Sequence, residues 1–121
     1  MTSNYRKKLG NWGEGVAQVF LQKKGYQVIE RHWQKQPGEI DIIAYEEKAH
    51  CLVFIEVKTR TSEAFGPAEA SIDDLKRSKL EKVIGLYLAE MDYQGDYRFD
   101  LIIIFKGRGL SVRHYQNLIF D

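Results

Sequence analysis

Two short segments hold the residues best suited to chemistry: Glu39 and Asp41 in GEIDIIAY, and Glu56 with Lys58 two positions later in CLVFIEVK. Both runs have strand composition, and the polar EEKAH between them predicts a hairpin. With the turn centred between Lys48 and Ala49, opposed residues have numbers that sum to 97, so Asp41 faces Glu56 and Glu39 faces Lys58. One face then shows Glu39, Asp41, Ile43 and Tyr45 against Lys58, Glu56, Phe54 and Leu52. The other shows Ile40, Ile42 and Ala44 against Val57, Ile55 and Val53; it is wholly apolar and is predicted to be core. A slip of one residue would move the charges onto that core face, so the pattern excludes it; a slip of two keeps the faces.

Carboxylates opposed on adjacent strands have Cα atoms only about 4.5 to 5.5 Å apart, and like charges so placed are destabilising unless neutralised. A divalent cation would neutralise them. Oxygen ligation by Asp and Glu favours a hard ion, Mg2+ or Mn2+, which keeps several waters and shares its remaining positions with phosphate. Lys58, on the same side as Glu56, would orient or deprotonate a water, or stabilise charge developing on the phosphate. The competing reading is a set of cross-strand salt bridges, Glu39 to Lys58 foremost. Three acids facing one base leave two negative charges unbalanced under that reading, which favours the metal site.

The elements that must position these residues read as follows. A helix is predicted from about Lys7 to Lys24, where Leu9, Trp12, Val16, Val19 and Phe20 recur at spacings of three and four and Gly25 supplies the stop. YQVIERHW reads as a strand closed by a Pro37-Gly38 turn, and the hairpin follows. TRTSEAFGPAEAS reads as a loop. Ser71 or Asp73 can cap a second helix running to about Met91, with Leu80, Val83, Ile84, Tyr87, Leu88 and Met91 at helical spacing and Lys76, Arg77, Lys79 and Lys82 opposite. YRFDLIIIF is the near-continuous apolar strand of a sheet covered on both faces; KGRG reads as a hairpin turn and LSVRHY as a short edge strand. The predicted order is α-β-β-β-α-β, an α/β sandwich with a mixed sheet, in one domain with no linker or repeat.

In that order the motifs resemble the PD-(D/E)xK nuclease superfamily, whose shared pattern is an Asp on one strand and a (D/E)-x-K triplet on the next, here Asp41 and Glu56-Val57-Lys58. More closely, the chain is similar to the bacterial YraN family (UPF0102), itself similar to archaeal Holliday junction resolvases. GNWGEGVA, GEIDIIA, FIEVKTR, FGPAEAS with the following basic KRSKL, and RFDLI carry the resemblance. It implies a restriction-endonuclease-like sandwich with a central mixed sheet flanked by helices. It also implies an Mg2+ held by Asp41, Glu56 and the Val57 carbonyl, Lys58 as the catalytic lysine, Glu14 reaching the metal from the first helix, and Glu39 behind them or partnering Lys58. The superfamily's Pro is replaced by Ile40 immediately before Asp41.

The remaining composition bounds the partners. The chain has 121 residues and a formal net charge of +1, but residues 1 to 38 carry seven Lys/Arg against two acids, +5, and the rest eleven against fifteen, −4. That asymmetry suits a polyanion, DNA under the resemblance, with Arg31, Lys35, Arg60, Lys76, Arg77 and Lys79 as phosphate contacts. No stretch approaches the roughly 20 apolar residues of a membrane span. The basic start lacks a secretory apolar region, and Cys51 is a lone thiol in an apolar run, so a reducing cytoplasm is expected. A resolvase-like enzyme cutting two strands symmetrically would be a homodimer. The expected function is a metal-dependent endonuclease acting on branched or structured DNA; the alternatives are a non-catalytic nucleic-acid-binding module and an interaction protein whose acidic cluster is only structural.

Overall fold

In the computed structural model, which describes residues 2–61 and 74–118, the chain runs α1 (Thr2–Lys23), β1 (Tyr26–Lys35), β2 (Gly38–Glu46), β3 (Cys51–Arg60), α2 (Asp74–Glu90), β4 (Asp96–Lys106) and β5 (Leu110–Tyr115). The α-β-β-β-α-β order is present, and LSVRHY is added as an edge strand. The strands form one mixed sheet in sequence order, antiparallel except for the parallel pair β3–β4, whose crossover contains α2. The helix caps at Ser71 or Asp73 and the FGPAEAS segment lie outside the described residues.

The sheet is covered on both faces. Leu80, Val83, Ile84 and Tyr87 of α2 pack on Ile43, Leu52, Phe54, Phe99, Leu101 and Ile103. Ala17 and Leu21 of α1 pack on Ile42, Ala44, Val53, Ile55, Val57, Ile102 and Ile104. Successive residues of β3 and β4 therefore alternate between two cores, which is why those strands are apolar almost without interruption. Each fully buried Ile, Leu or Phe contributes roughly 1.5 to 3 kcal/mol.

Four particulars differ from the sequence reading. First, α1 begins at Thr2, since TSNYR holds no breaker, and Thr59 and Arg60 continue β3 rather than opening a loop. Second, the apolar stripe that identifies α1 is not its buried face. Gly13, Glu14, Ala17 and Leu21 face the sheet, while Trp12 and Val19 stay exposed and line, with Val16, Phe20, Leu110 and Val112, an apolar groove of about 590 Å³ against β5. The reason is steric: a Cβ on Gly13 would lie 1.9 Å from Thr59 Oγ1, so glycine at this position is what lets the helix lie this close to β3.

Third, the hairpin has the predicted register from Ile42↔Ile55 to Glu46↔Cys51, but pairing ends there, one step short of Asp41 and Glu56. Fourth, Ile40 belongs to the α2-side core although Ile42 belongs to the α1 side, so the expected common face breaks between them. On the neighbouring strand His32 has φ 54°, and the β1–β2 ladder passes over both His32 and Asp41 while pairing Arg31↔Ile42 and Trp33↔Ile40. A left-handed residue costs about 1 kcal/mol or more and interrupts the period-two alternation, which sends Trp33 and Ile40 to the α2 side. Among the described residues no helix is long and apolar enough to cross a membrane.

Candidate functional site

The interruption of the ladder is where the acids gather. Asp41 and Glu56 are buried, at 8% and 6% exposure, where β2 and β3 part. The Val57 N–H donates to Asp41 Oδ2 at 2.8 Å, so the side chain fills the place of a missing backbone acceptor. Burial, then the charge of Glu56 and a hydrogen bond between the two carboxyls, pushes Asp41 up to about 8 against the pull of the Val57 N–H. Glu56 Oε2 is buried and accepts no hydrogen bond among the described residues. Its nearest cation is Lys76 Nζ of α2 at 3.4 Å.

Lys58 stands two residues along β3. Burial, with a hydrogen bond and repulsion from Lys76, lowers its amine to about 8 although Glu56 attracts its charge. For Lys76 burial opposes the charged form, but Glu56, the bond to Lys58 and Asp41 more than offset it and raise its pKa. The two amines and two carboxyls thus form one cluster, in which the protonation of Asp41, Lys58 and Lys76 responds to the charges beside them.

Glu14 enters from α1 because Gly13 lets the helix approach. Its Oε1 lies 2.6 Å from His32 Nε2 and 3.7 Å from Arg31 NH2, and Arg31 also donates to Gln18 at 3.0 Å. Burial raises the Glu14 carboxyl above its ordinary value against the pull of His32 and Arg31. The charge of Glu14 in turn raises Asp41, which joins it electrostatically to the acid pair.

The other predicted residues divide. Glu39 receives a hydrogen bond from Gln34 at 3.0 Å, and this, rather than Lys58, is its described partner. Glu39 also lines, with Glu56, Lys76 and Lys79, a 140 Å³ cavity beside the acids. Lys35 is paired with Glu90 at 2.9 Å, Arg31 is occupied by Glu14, and Arg60 folds its guanidinium onto the Thr59 carbonyl at 3.1 Å. Arg77 is half-buried and Lys79 exposed on α2. His32 was not singled out from the sequence, since three histidines without metal spacing give no signal; only its backbone conformation brings it to Glu14.

A second polar cluster lies on the α1 side of the same strands, where Asp100 pairs with Ile55, one register step from Glu56. Fully buried Asp100 accepts from Arg98 Nε at 3.0 Å, contacts His114 Nε2 at 2.8 Å and receives the Asn117 N–H at 2.9 Å. Arg98 also binds Glu46 and the Tyr26 hydroxyl, each at 2.6 Å. Its sequence signal is RFDLI.

The donor set fits a hard divalent ion. Among the described residues no three His, Cys, Asp or Glu side chains converge to hold a metal ion, so protein side chains would supply at most two ligands. Two buried carboxyls that repel one another, with Glu56 Oε2 offset by one lysine at 3.4 Å, are oxygen donors of the kind Mg2+ or Mn2+ takes, with waters, a carbonyl and a phosphate left to complete a shell.

A model described as "Uncharacterised protein family UPF0102" matches residues 13–104. A "UPF0102 protein" of Herpetosiphon aurantiacus is 43% identical over 96% of this chain and 97% of its own length. Relatives of the same description from Flavobacterium psychrophilum and Alkaliphilus metalliredigens are each 38% identical, covering 93% and 94% of this chain and 93% and 98% of theirs.

Proposed function

This chain belongs to the UPF0102 family, and from that premise we propose that it is a metal-dependent endonuclease hydrolysing phosphodiester bonds in DNA, branched or otherwise structured. The observation that carries the reading is the meeting of Asp41, Glu56 and Lys58 where β2 and β3 part, with Asp41 pushed up to about 8 by burial and then by the neighbouring acid. Asp41, Glu56 and the Val57 carbonyl would hold Mg2+ or Mn2+. When bound, the ion supplies Lewis-acid polarisation of the scissile phosphate and a more acidic water.

The chain's own residues do the rest. Lys58, lowered to about 8, exchanges its Nζ proton near neutrality; neutral, it takes a proton from the attacking water, and charged, it stabilises the developing phosphate charge. Lys76 lies close enough to Glu56 and Lys58 to offset acid charge and contact phosphate. Glu14, fixed by His32 and Arg31, orients water on the α1 side. A cytoplasmic location and a homodimer accompany this reading.

The test is Mg2+-dependent cleavage of linear, flap and four-way DNA by the wild type, Asp41→Ala and Lys58→Ala. Each variant is expected to lose at least about a hundredfold in rate. Undiminished cleavage in either overturns the assigned roles, and salt-sensitive binding without cleavage under any metal favours the non-catalytic binding module.

A further inference from the structure

Lys58 lies between two spaces. On one side are the acids and the small cavity that reaches Lys76; on the other a groove of about 560 Å³ runs between the start of α1 and the end of β3. Its walls include Arg6, Leu9 and Gly10 of α1 and Lys58, Arg60 and Thr61 on or just beyond β3. The contact of Gly13 with Thr59 sets the helix directly on the strand, and the groove opens toward Arg6.

We propose that this groove is the track for one strand of nucleic acid leading to Lys58, gripped through its phosphates by Arg6 and Arg60; the proposal rests on the nuclease reading. Charge gives the ligand's sign. Three cationic side chains and threonine hydroxyls line the groove, and no carboxylate does among the described residues. Size gives its extent, since about 560 Å³ falls in the range of roughly 300 to 1,000 Å³ that holds whole organic ligands and far exceeds a lone phosphate. Continuity gives its class: Lys58 belongs to both the groove and the acid cluster, so a ligand seated here extends to the acids as a chain of phosphates does.

The lining also lacks Asn, Gln, Asp and Glu among the described residues, the side chains that read adenine and cytosine edges, so nothing in it selects those two bases. Leu9 offers an apolar surface to sugar or base. In the sequence nothing separates Arg6 from its basic neighbours Lys7 and Lys8; its place on the groove wall does.

The experiment is fluorescence anisotropy with a labelled single strand of about 15 nucleotides, in chelator, so that binding is read without turnover. Arg6→Glu reverses a groove charge. Gly10→Trp adds bulk to the groove with net charge unchanged, at a position where a Cβ meets nothing within 4 Å, and its circular dichroism and melting should match the wild type. Lys48→Glu, in the β2–β3 turn, matches the charge change away from the groove. Arg6→Glu is expected to weaken binding about tenfold and lower the salt slope by about one. Gly10→Trp should weaken binding with the salt slope unchanged, and Lys48→Glu should bind like the wild type.

Equal binding by the wild type, Arg6→Glu and Gly10→Trp overturns the track while leaving the nuclease reading intact. Equal weakening by Arg6→Glu and Lys48→Glu overturns it as diffuse attraction, and tighter binding of duplex than of single strand overturns the choice of a single strand. A wild type that binds no nucleic acid at low salt overturns both readings.

Discussion

Asp41 Oδ2 accepts the Val57 N–H at 2.8 Å, in the place a β2 carbonyl would take if the hairpin ladder continued past Ile42↔Ile55. The bond preserves the edge of β3 while holding an acid against Glu56. The same contact that keeps the strand from fraying thus creates the repulsion.

Asp41→Asn should raise stability at neutral and alkaline pH. With the folded carboxyl pushed up to about 8 from the ordinary 3.8, the native state binds more protons than the unfolded chain between those values. Stability contributed by the protonated form is present below the unfolded value and lost as pH rises through about 8. Asn retains an acceptor for the Val57 N–H without the charge. In chelator at pH 8, thermal melting should show a Tm higher by about 5 °C or more, and a lower Tm contradicts the account.

Divalent ions should stabilise the wild type and expel a proton. Binding requires Asp41 to ionise, so calorimetric heats for Mn2+ at neutral pH should vary with the ionisation enthalpy of the buffer. At a hundredfold excess over Kd the gain is about 2.7 kcal/mol, and Asp41→Asn should lose most of it. Heats independent of buffer would refute the coupling.

Lys76→Met should separate charge compensation from packing. In chelator the variant leaves Glu56 Oε2 without its nearest cation and should melt lower than the wild type by a few degrees, about 1 kcal/mol or more. Saturating Mn2+ should close most of that gap. A gap that persists with the ion identifies Lys76 as a packing residue.

Gly13→Ala should destabilise by about 1 to 3 kcal/mol, because the added carbon would lie 1.9 Å from Thr59 Oγ1. Thr59→Ala removes that oxygen and should recover much of the loss when combined with it. Additive losses in urea denaturation would deny the contact its role.

How far the sequence reaches depends on whether a property is local. The hairpin register was legible because period-two alternation lets only certain faces be buried, and Ile42↔Ile55 to Glu46↔Cys51 pair as that pattern requires. The break at Asp41 was not, since it depends on His32, nine positions away, adopting φ 54° on another strand. The buried face of α1 is not legible for a related reason: hydrophobic periodicity marks bulky side chains, whereas Thr59 demands glycine at position 13. Lys76 belongs to a basic helix face that looks solvated in sequence, and only the crossover from β3 brings it to Glu56. Asp41, Glu56 and Lys58 were legible as a spacing, but the perturbed protonation of Asp41 and Lys58 comes from burial and tertiary neighbours.

The Arg98–Asp100–His114 cluster gives the paired strands β3 and β4 two unlike faces. Ile55 pairs with Asp100 and Glu56 with Leu101, so the two sets of charges stand one register step apart, on opposite sides of the sheet. On the α1 side charges are matched, and the Asn117 and Leu118 N–H groups are bound by Asp100 and the Phe99 carbonyl. On the α2 side Glu56 stands beside a second carboxyl, so the matched pairs fasten the same stretch of strand that carries the repulsion.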